Sequence, residues 1–191
     1  DEVLVSDDAS KDKTINMVEK FKTENPNINV KVFTNEINKG IGFNYYATAH
    51  KAAGKYYMLI NGDAVDPPEE IKKIVSNIGK SDMILTYIID PRGIFRRTLS
   101  RLFVFIINLI TFNNIKYYNG SNVHLLENVK LYSGGSSGFG YQAELITSQW
   151  RQKKTYTEVE IEQYSSSGTS ESLTPGSVPS VITSIIIIFL R

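Results

Sequence analysis

The sequence predicts an α/β fold of three layers, in which helices flank a mostly parallel sheet. Over residues 1–88, short apolar runs alternate with helical patterns in the order strand, helix, strand, helix, strand, helix, strand. This alternation is typical of parallel strands joined by right-handed helical crossovers. Acidic turns follow two of the apolar runs, at Asp7 and Asp63, and ligands of such sheets bind at the carboxyl ends of strands. The 191 residues are enough for one domain with a sizeable core.

Each element of the first half is predicted from its own pattern. The predicted strands cover residues 2–6, 30–33, 56–60 and 83–88. The predicted helices cover residues 14–22, 43–53 and 68–78. The first helix has apolar residues at helical spacing, and the second is rich in small residues that suit close packing on a sheet.

The third helix and the helix ends are predicted from more local signals. Four apolar residues share one predicted face of the third helix, namely Ile71, Ile74, Val75 and Ile78. Asn25 and Pro26 are expected to end the first helix, because proline disrupts the helical pattern. Gly54 and Gly79 are expected to end the other two, because glycine adopts the left-handed conformation that closes helices.

The second half is predicted to be less regular. It contains an apolar run at 102–112, a Gly/Ser loop at 133–140, a helix at 141–152, a half-exposed strand at 155–162 and an apolar run at 181–190. Neither apolar run reaches the roughly 18–20 residues of a membrane span. We therefore expect one domain over residues 1–173, followed at 174–191 by a C-terminal apolar helix of the membrane-interfacial kind.

Composition excludes several functional classes. The formal net charge is +1, from 21 Lys and Arg against 20 Asp and Glu, so the charge gives no argument for a nucleic-acid partner. The chain has no cysteine, which excludes disulfides and thiolate metal sites.

The stretch at residues 55–69 concentrates the candidate chemistry. A buried strand is predicted to deliver Asp63 and Asp66 to its carboxyl end, just before a helix that begins near Pro67. For Asp66 we favour a capping role, because proline suits the first helical position. For Asp63 we favour metal binding, since a carboxylate at a strand end is a metal-ligand candidate in an open α/β sheet.

An ordered series of motifs resembles a known family. Residues 3–14 resemble the "VVDDGSxDxT" segment of family 2 glycosyltransferases, which have the Rossmann-like GT-A fold. Residues 38–42 match that family's "NxGxG" loop, and residues 52–69 match its "AxGxyixxxDADxxxPPE" segment. Four downstream segments resemble the branch that includes dolichyl-phosphate mannosyltransferase and bacterial polyprenyl-phosphate glycosyltransferases; they lie at 97–101, 138–145, 158–161 and 167–170. Each motif alone is weak, but the ordered series is specific.

The resemblance implies an inverting, metal-dependent enzyme. It would move a sugar from a nucleoside diphosphate donor to a polyprenyl phosphate or another membrane-associated acceptor, with Mg²⁺ or Mn²⁺ as cofactor. It would act in the cytoplasm, peripheral to the cytoplasmic membrane, with residues 1–173 as its catalytic domain. The family begins with a further strand and helix that carry a "PxYNE"-like segment, and we expect these elements to be missing from this chain.

The candidate metal triplet departs from the family pattern. The family's Asp-x-Asp is Asn61-Gly62-Asp63 here, so an amide replaces the first carboxylate. A glutamine that assists the metal in some relatives is Val65 here. We therefore expect Asp63 to bind a divalent cation more weakly, or to share it more with the donor's phosphates.

The resemblance also implies which residues contact the donor nucleotide. Asp7 or Asp8 is expected to bind the base or the ribose. The alternative for this pair is that one of them caps the helix beginning near residue 13. The other residues expected to bind the donor are Ser10, Lys39, Gly40 and Asn61. Gly40 permits close backbone approach to the nucleotide, although a plain turn glycine is the alternative.

A basic segment precedes the first apolar run. Arg97, Ser100 and Arg101 are expected to hold a phosphate of the donor or of a lipid acceptor, since arginine suits bidentate phosphate binding. The same charges also suit a membrane-facing helix whose basic end meets anionic headgroups. A solvated helix face is the third interpretation.

The role of Glu144 depends on the acceptor. For a hydroxyl acceptor, Glu144 is the leading candidate for the catalytic base. A polyprenyl phosphate is already anionic, because the second pKa of a phosphate monoester is about 6. No base is then required, and Glu144 would only orient a neighbouring group.

Two other hypotheses stay open at this point. A degenerate relative that binds nucleotide sugars without turnover fits the Asn61 substitution. A receiver-like signalling domain fits the acidic pair at Asp7 and Asp8 with Asp63, but it leaves the Gly-rich loop at 38–42 and the second half without a role.

Overall fold

The computed structural model describes residues 1–88, 94–133, 135–164 and 178–191. The elements in chain order are β1 (Val3–Asp7), α1 (Thr14–Glu24), β2 (Val30–Thr34), α2 (Ile41–Lys51), β3 (Tyr56–Met58), α3 (Pro68–Val75), β4 (Met83–Ile88), α4 (Ile94–Thr111), β5 (Val123–Leu125), α5 (Leu126–Leu131), α6 (Tyr141–Arg151), β6 (Tyr156–Ile161) and α7 (Val178–Leu190).

The strands form two hydrogen-bonded sheets. In the smaller sheet β1 pairs in parallel with β2, with Val3 opposite Val30. The larger sheet has the order β3-β5-β4-β6. Strand β5 is antiparallel to both β3 and β4, so those two run in the same direction, and β4 pairs in parallel with β6. The prediction of a mostly parallel sheet is confirmed, with β5 as the antiparallel exception.

Helices cover both faces of the larger sheet. On β4, Met83 and Leu85 pack in one hydrophobic cluster with Ile107 of α4. The intervening Ile84 packs in another cluster with Ile74 of α3. Successive side chains of a strand point to opposite faces. The three-layer arrangement is therefore confirmed.

Strand β5 and helix α5 were not predicted. Together they span only Val123–Leu131, and three strand residues followed by six helical residues are too short to show a period. Strand β5 nevertheless occupies an internal position of the larger sheet, where Val123 and His124 are buried.

Two predicted helix ends are wrong, because α3 ends at Val75 rather than at residue 78 and α2 ends before Gly54. No residue of α1 is buried, and its apolar Met17 and Phe21 are exposed. Val75 is also exposed, because α3 ends there and Ile74 fills the position against the sheet. Helix α2 stops at Lys51, three residues before Gly54, whereas Gly79 has the expected positive φ of 91°.

The C-terminal helix α7 packs on the rest of the fold. Ile188 belongs to the same cluster as Met83 and Ile107. The Arg151 side chain of α6 donates a hydrogen bond to the Ile188 carbonyl at 2.7 Å. The predicted domain boundary between 173 and 174 lies outside the described residues. Among the helices that the structure describes, none is long and apolar enough to cross a membrane.

Candidate functional site

Asp63 lies in the turn that follows β3, and its side chain is exposed. Among the described residues, its carboxylate makes one long hydrogen bond, from the Val65 amide at 3.4 Å. Ala64, between them, adopts a left-handed conformation with φ of 55°, which is uncommon for a residue with a Cβ. The turn thus presents a carboxylate that is free to bind a ligand.

Asp66 has a different environment from the one predicted. The helix-capping position is occupied by Pro67, and no side chain caps α3. Asp66 is only 7% exposed, and it accepts hydrogen bonds from Ser121 at 2.5 Å and Gln163 at 2.7 Å. The capping prediction is therefore wrong. Asp66 instead ties the loop to the segments that precede β5 and follow β6.

The oxygen ligands that this loop offers suit a divalent cation only when substrate phosphates supply further ligands. Within the described ranges, no group of three or more His, Cys, Asp or Glu residues could hold a metal ion. The loop offers the Asp63 carboxylate and the amide of Asn61, both exposed. Mg²⁺ commonly binds through one or two carboxylates together with substrate phosphates and water. The residues present fit that kind of site.

The loop at residues 38–42, which is predicted to contact the donor nucleotide and is called the nucleotide loop below, is held by Asp8. The Asp8 carboxylate accepts hydrogen bonds from the backbone amides of Lys39 and Gly40, each at 2.8 Å, and from the Asn35 side chain at 2.9 Å. Partial burial opposes ionisation of Asp8, but these hydrogen bonds outweigh it and lower the pKa of the carboxyl. The structure thus brings Asp8, Lys39 and Gly40 together, while their contact with a donor stays a prediction.

Asp7 is buried and stabilises a turn. One carboxylate oxygen accepts a hydrogen bond from the Ser10 amide at 3.2 Å. The alternative that Asp7 or Asp8 caps α1 is wrong, since Asp12 accepts the hydrogen bond of the Thr14 amide at 2.9 Å. The side chain of Ser10 is exposed at the surface of this turn.

The nucleotide loop also packs against the Gly/Ser loop (residues 133–140, of which Gly134 lies outside the described residues). The Gly42 amide donates a hydrogen bond to the Ser137 carbonyl at 2.8 Å. A Cβ at Gly42 would lie 2.1 Å from the Ser136 carbonyl oxygen, and one at Gly40 would lie 2.5 Å from that of Ser137. Both glycines are therefore required by close contact with this loop. Ser136 and Ser137 were not predicted to have a role, and the glycine-rich composition of both loops is the sequence signal that could have indicated their contact.

Glu144 lies on the first turn of α6 and is 2% exposed. Its Oε2 accepts hydrogen bonds from the Ser136 amide at 3.1 Å and from the Tyr132 hydroxyl at 3.3 Å. Its Oε1 is buried and has no hydrogen-bond partner in the described part of the chain. Glu144 is therefore positioned beneath the Gly/Ser loop.

The three predicted phosphate-binding residues share one face of α4. Arg97, Ser100 and Arg101 follow the i, i+3, i+4 spacing that places side chains together. Arg97 and Ser100 are half-buried, and Arg101 is exposed. Their role in binding a phosphate stays a prediction.

The sequence and the fold both match known proteins. Residues 1–143 match the sequence model of the family described as Glycosyl transferase family 2. No curated protein matches the chain. Solved structures of glucosyl-3-phosphoglycerate synthase from Mycobacterium tuberculosis are similar in fold. The complex with Mn²⁺, UDP and phosphoglyceric acid has a TM-score of 0.75 at 13% identity, over 99% of this chain and 68% of that one.

A second complex of the same enzyme gives a similar result. With Mn²⁺, UDP and glucosyl-3-phosphoglycerate bound, its TM-score is 0.74 at 15% identity, over 98% of this chain and 68% of that one. Identities this low show a shared fold and carry no residue roles by themselves.

Proposed function

The chain belongs to glycosyl transferase family 2, and on that premise we propose that it transfers a sugar from a nucleoside diphosphate donor to a polyprenyl phosphate at a membrane surface. For the sugar donor, the proposal rests on the Asp63 carboxylate, which is exposed to solvent. The loop that carries it is anchored at Asp66 by hydrogen bonds from Ser121 and Gln163. The structural neighbours bind UDP together with Mn²⁺ or Mg²⁺, which supports the same donor chemistry here.

The proposed reaction is an in-line displacement. The acceptor oxygen forms a bond to the anomeric carbon while the bond to the nucleoside diphosphate breaks, which inverts the configuration. A divalent cation at Asp63, when bound, would neutralise the charge of the leaving diphosphate. Asp8 holds the backbone at Gly40 in place beside the proposed nucleotide site.

The acceptor is assigned from the surface around α4 and α7. Both helices expose apolar side chains while they pack together through the cluster that contains Ile107 and Ile188. The exposed set is Leu99, Leu102, Phe105 and Leu109 on α4, Phe112 directly after that helix, and Ile182, Ile186, Phe189 and Leu190 on α7. We call this set the apolar face. Neither helix contains an acidic residue, and Arg101 lies exposed on α4.

These features suit an anionic lipid bilayer. Interfacial helices bury an apolar face at the headgroup boundary, and basic residues beside it attract anionic lipids. A polyprenyl phosphate in that bilayer would present its phosphate to Arg97 and Arg101, and its oxygen is already a nucleophile. A water-soluble acceptor such as phosphoglycerate is the competing outcome, because the structural neighbours bind it.

The experiment that tests this proposal is a transfer assay. Radiolabelled UDP-, GDP- and TDP-sugars are incubated with Mn²⁺ and either polyprenyl phosphate in vesicles or 3-phosphoglycerate. We expect transfer to the lipid from one donor, and a loss of at least about 100-fold in the Asp63→Ala variant. Glu69→Ala is the matched control, since Glu69 is a similarly exposed carboxylate on the following helix.

Two outcomes would contradict the proposal. Transfer to 3-phosphoglycerate and not to the lipid would mean that the acceptor is water-soluble. Donor binding without transfer to any acceptor would support the degenerate relative. The family match over residues 1–143 leaves the receiver-like hypothesis without support.

A further inference from the structure

The Gly/Ser loop lies between the nucleotide loop on one side and helices α6 and α7 on the other. On the first side, the Gly42 amide binds the Ser137 carbonyl at 2.8 Å. Because Gly40 and Gly42 have no room for a Cβ against the Ser136 and Ser137 carbonyls, no side chain separates the two loops. The two backbones are therefore in direct contact, through one hydrogen bond and close packing at both glycines.

On the opposite side, three side-chain hydrogen bonds hold the Gly/Ser loop. The Ser136 amide donates to Oε2 of Glu144 at 3.1 Å, and the Ser136 hydroxyl lies 3.0 Å from that of Ser184 on α7. The Arg191 side chain donates to the Ser133 carbonyl at 3.1 Å. Of these three contacts among the described residues, only that of Glu144 involves a carboxylate. Ser136 is adjacent to Ser137, which binds the nucleotide loop, so Glu144 connects α6 to the proposed donor site.

The surroundings of Glu144 do not suit proton abstraction from an acceptor. A catalytic base has to come within hydrogen-bonding distance of the proton that it removes. Glu144 is 2% exposed, and Oε1 is buried without a partner among the described residues. Glu144 lines a cavity of about 200 Å³ together with Tyr132, other residues of α6 and α7, and Gln152 and Arg191, which directly follow those helices. That lining contains neither Asp63 nor any residue of the nucleotide loop.

We propose that Glu144 is a positioning residue, which acts through Ser136 and Ser137 to hold the nucleotide loop at Gly40–Gly42 in its donor-binding conformation. This inference rests on the proposed function, because it assigns a role within that donor site. If it is correct, loss of the Glu144 carboxylate weakens donor binding and leaves the pH dependence of the reaction unchanged.

The test compares two substitutions at the same position. Glu144→Gln keeps an oxygen that can accept the Ser136 hydrogen bond, whereas Glu144→Ala removes it. We expect Glu144→Gln to keep kcat and the donor KM within about threefold of the parent, and Glu144→Ala to raise the donor KM by about tenfold with an unchanged pH–rate profile. A base would instead cost about 100- to 10,000-fold in kcat in the Gln variant.

A measurement that needs no donor separates this inference from the proposed function. Hydrogen exchange of the Gly42 amide reports its bond to Ser137 directly. We expect faster exchange in Glu144→Ala than in the parent or in Glu144→Gln, with Glu127→Gln on the exposed surface of α5 as the matched control. Equal exchange in all four proteins would overturn the inference, even if the parent transfers sugar normally.

A second variant approaches the same contact from the other loop. Gly42→Ala leaves Glu144 intact but places a Cβ against the Ser136 carbonyl. We expect it to raise the donor KM in the same way as Glu144→Ala. An unchanged donor KM in a folded Gly42→Ala protein would contradict the inference, and this result does not depend on whether Glu144→Ala folds.

Discussion

At the scale of single residues, Asn61 limits how strongly the loop can hold a cation. It lies two residues before Asp63 in the same exposed turn, and its amide contributes no charge. Affinity for hard divalent cations rises with the number of charged oxygen ligands. We expect Asn61→Asp to tighten Mn²⁺ binding by about tenfold in the presence of the nucleotide sugar, measured by calorimetric titration of the metal.

A matched control for that prediction is Asn27→Asp, which adds the same charge at an exposed loop elsewhere. Equal metal affinities in the parent and in Asn61→Asp would mean that the turn does not place residue 61 near the cation.

His124 makes the free energy of unfolding depend on pH. It is fully buried on β5, and burial lowers its pKa to about 4, although a hydrogen bond with Gln149 opposes this shift. In the unfolded chain the imidazole has an ordinary pKa of about 6.5. The unfolded state therefore binds an additional proton between these values, and stability falls as the pH decreases from about 6.5 to about 4.

We expect His124→Gln to flatten this decrease, which amounts to on the order of 3 kcal/mol in the parent. The check is the melting temperature of each protein between pH 7 and pH 4. His50→Gln is the control, because His50 is the other histidine of the chain and is exposed. Parallel pH curves for the parent and His124→Gln would contradict the assignment.

The residue roles show where prediction from the sequence stops. An acidic turn after an apolar run predicted that Asp63 follows a strand, and the structure places it there because both signals are local. Its role in binding a metal stays a prediction. Asp66 was misassigned because its partners Ser121 and Gln163 are 55 and 97 residues away. Ser136 and Ser137 were missed for the same reason, since their contacts with Gly40 and Gly42 form only when the chain folds.

At the scale of elements, α7 is held by small residues. A Cβ at Gly140 would lie 2.3 Å from the Cβ of Ser184, and one at Gly138 would lie 2.5 Å from that of Ser180. The serines are one turn apart on α7, so the helix can approach the Gly/Ser loop closely at both points. This contact explains why an apolar helix at the end of the chain packs on the fold.

We expect Gly140→Ala to destabilise the protein by about 1–3 kcal/mol, because the added methyl group must displace α7. The backbone itself allows alanine there, with φ of −82°. Urea unfolding measures the change. The double variant Gly140→Ala, Ser184→Gly should recover only part of it, because Ser184→Gly relieves the clash but removes the hydrogen bond to Ser136 and adds a glycine inside α7. Gly62→Ala is the control, since nothing lies within 4 Å of its added Cβ. A Gly140→Ala protein as stable as the parent would refute this packing account.

Helices and strands were predicted correctly where the hydrophobic pattern extended over enough residues to be recognised. Strand β4 and helix α6 were found within a residue of their observed bounds, since each has a clear pattern of six or more residues. The three residues of β5 were not found, because their pairing with β3 and β4 depends on strands that lie far from them in the sequence.

At the scale of the whole molecule, the apolar face exposes nine large apolar side chains on and beside α4 and α7. We expect the protein to bind vesicles that contain anionic lipid, and we expect the double variant Phe105→Ser, Phe189→Ser to bind them less than a tenth as well. These side chains are 62% and 70% exposed, so their loss should not unfold the protein. Vesicle flotation measures the binding.

Met17→Ser provides the control for vesicle binding. Met17 is 69% exposed on α1, outside the apolar face, and its loss removes a similar exposed apolar group. Equal flotation of the parent and the double variant would show that the apolar face does not contact the bilayer.

The most direct test of the central claim is calorimetric titration of the nucleotide sugar, with and without Mn²⁺, into the parent and Asp63→Ala. The account predicts saturable binding that requires the cation in the parent and is weakened at least tenfold in Asp63→Ala, while Glu69→Ala binds like the parent. Binding that is independent of Mn²⁺, or equal in the parent and Asp63→Ala, would contradict the claim that Asp63 holds the cation on the donor's phosphates.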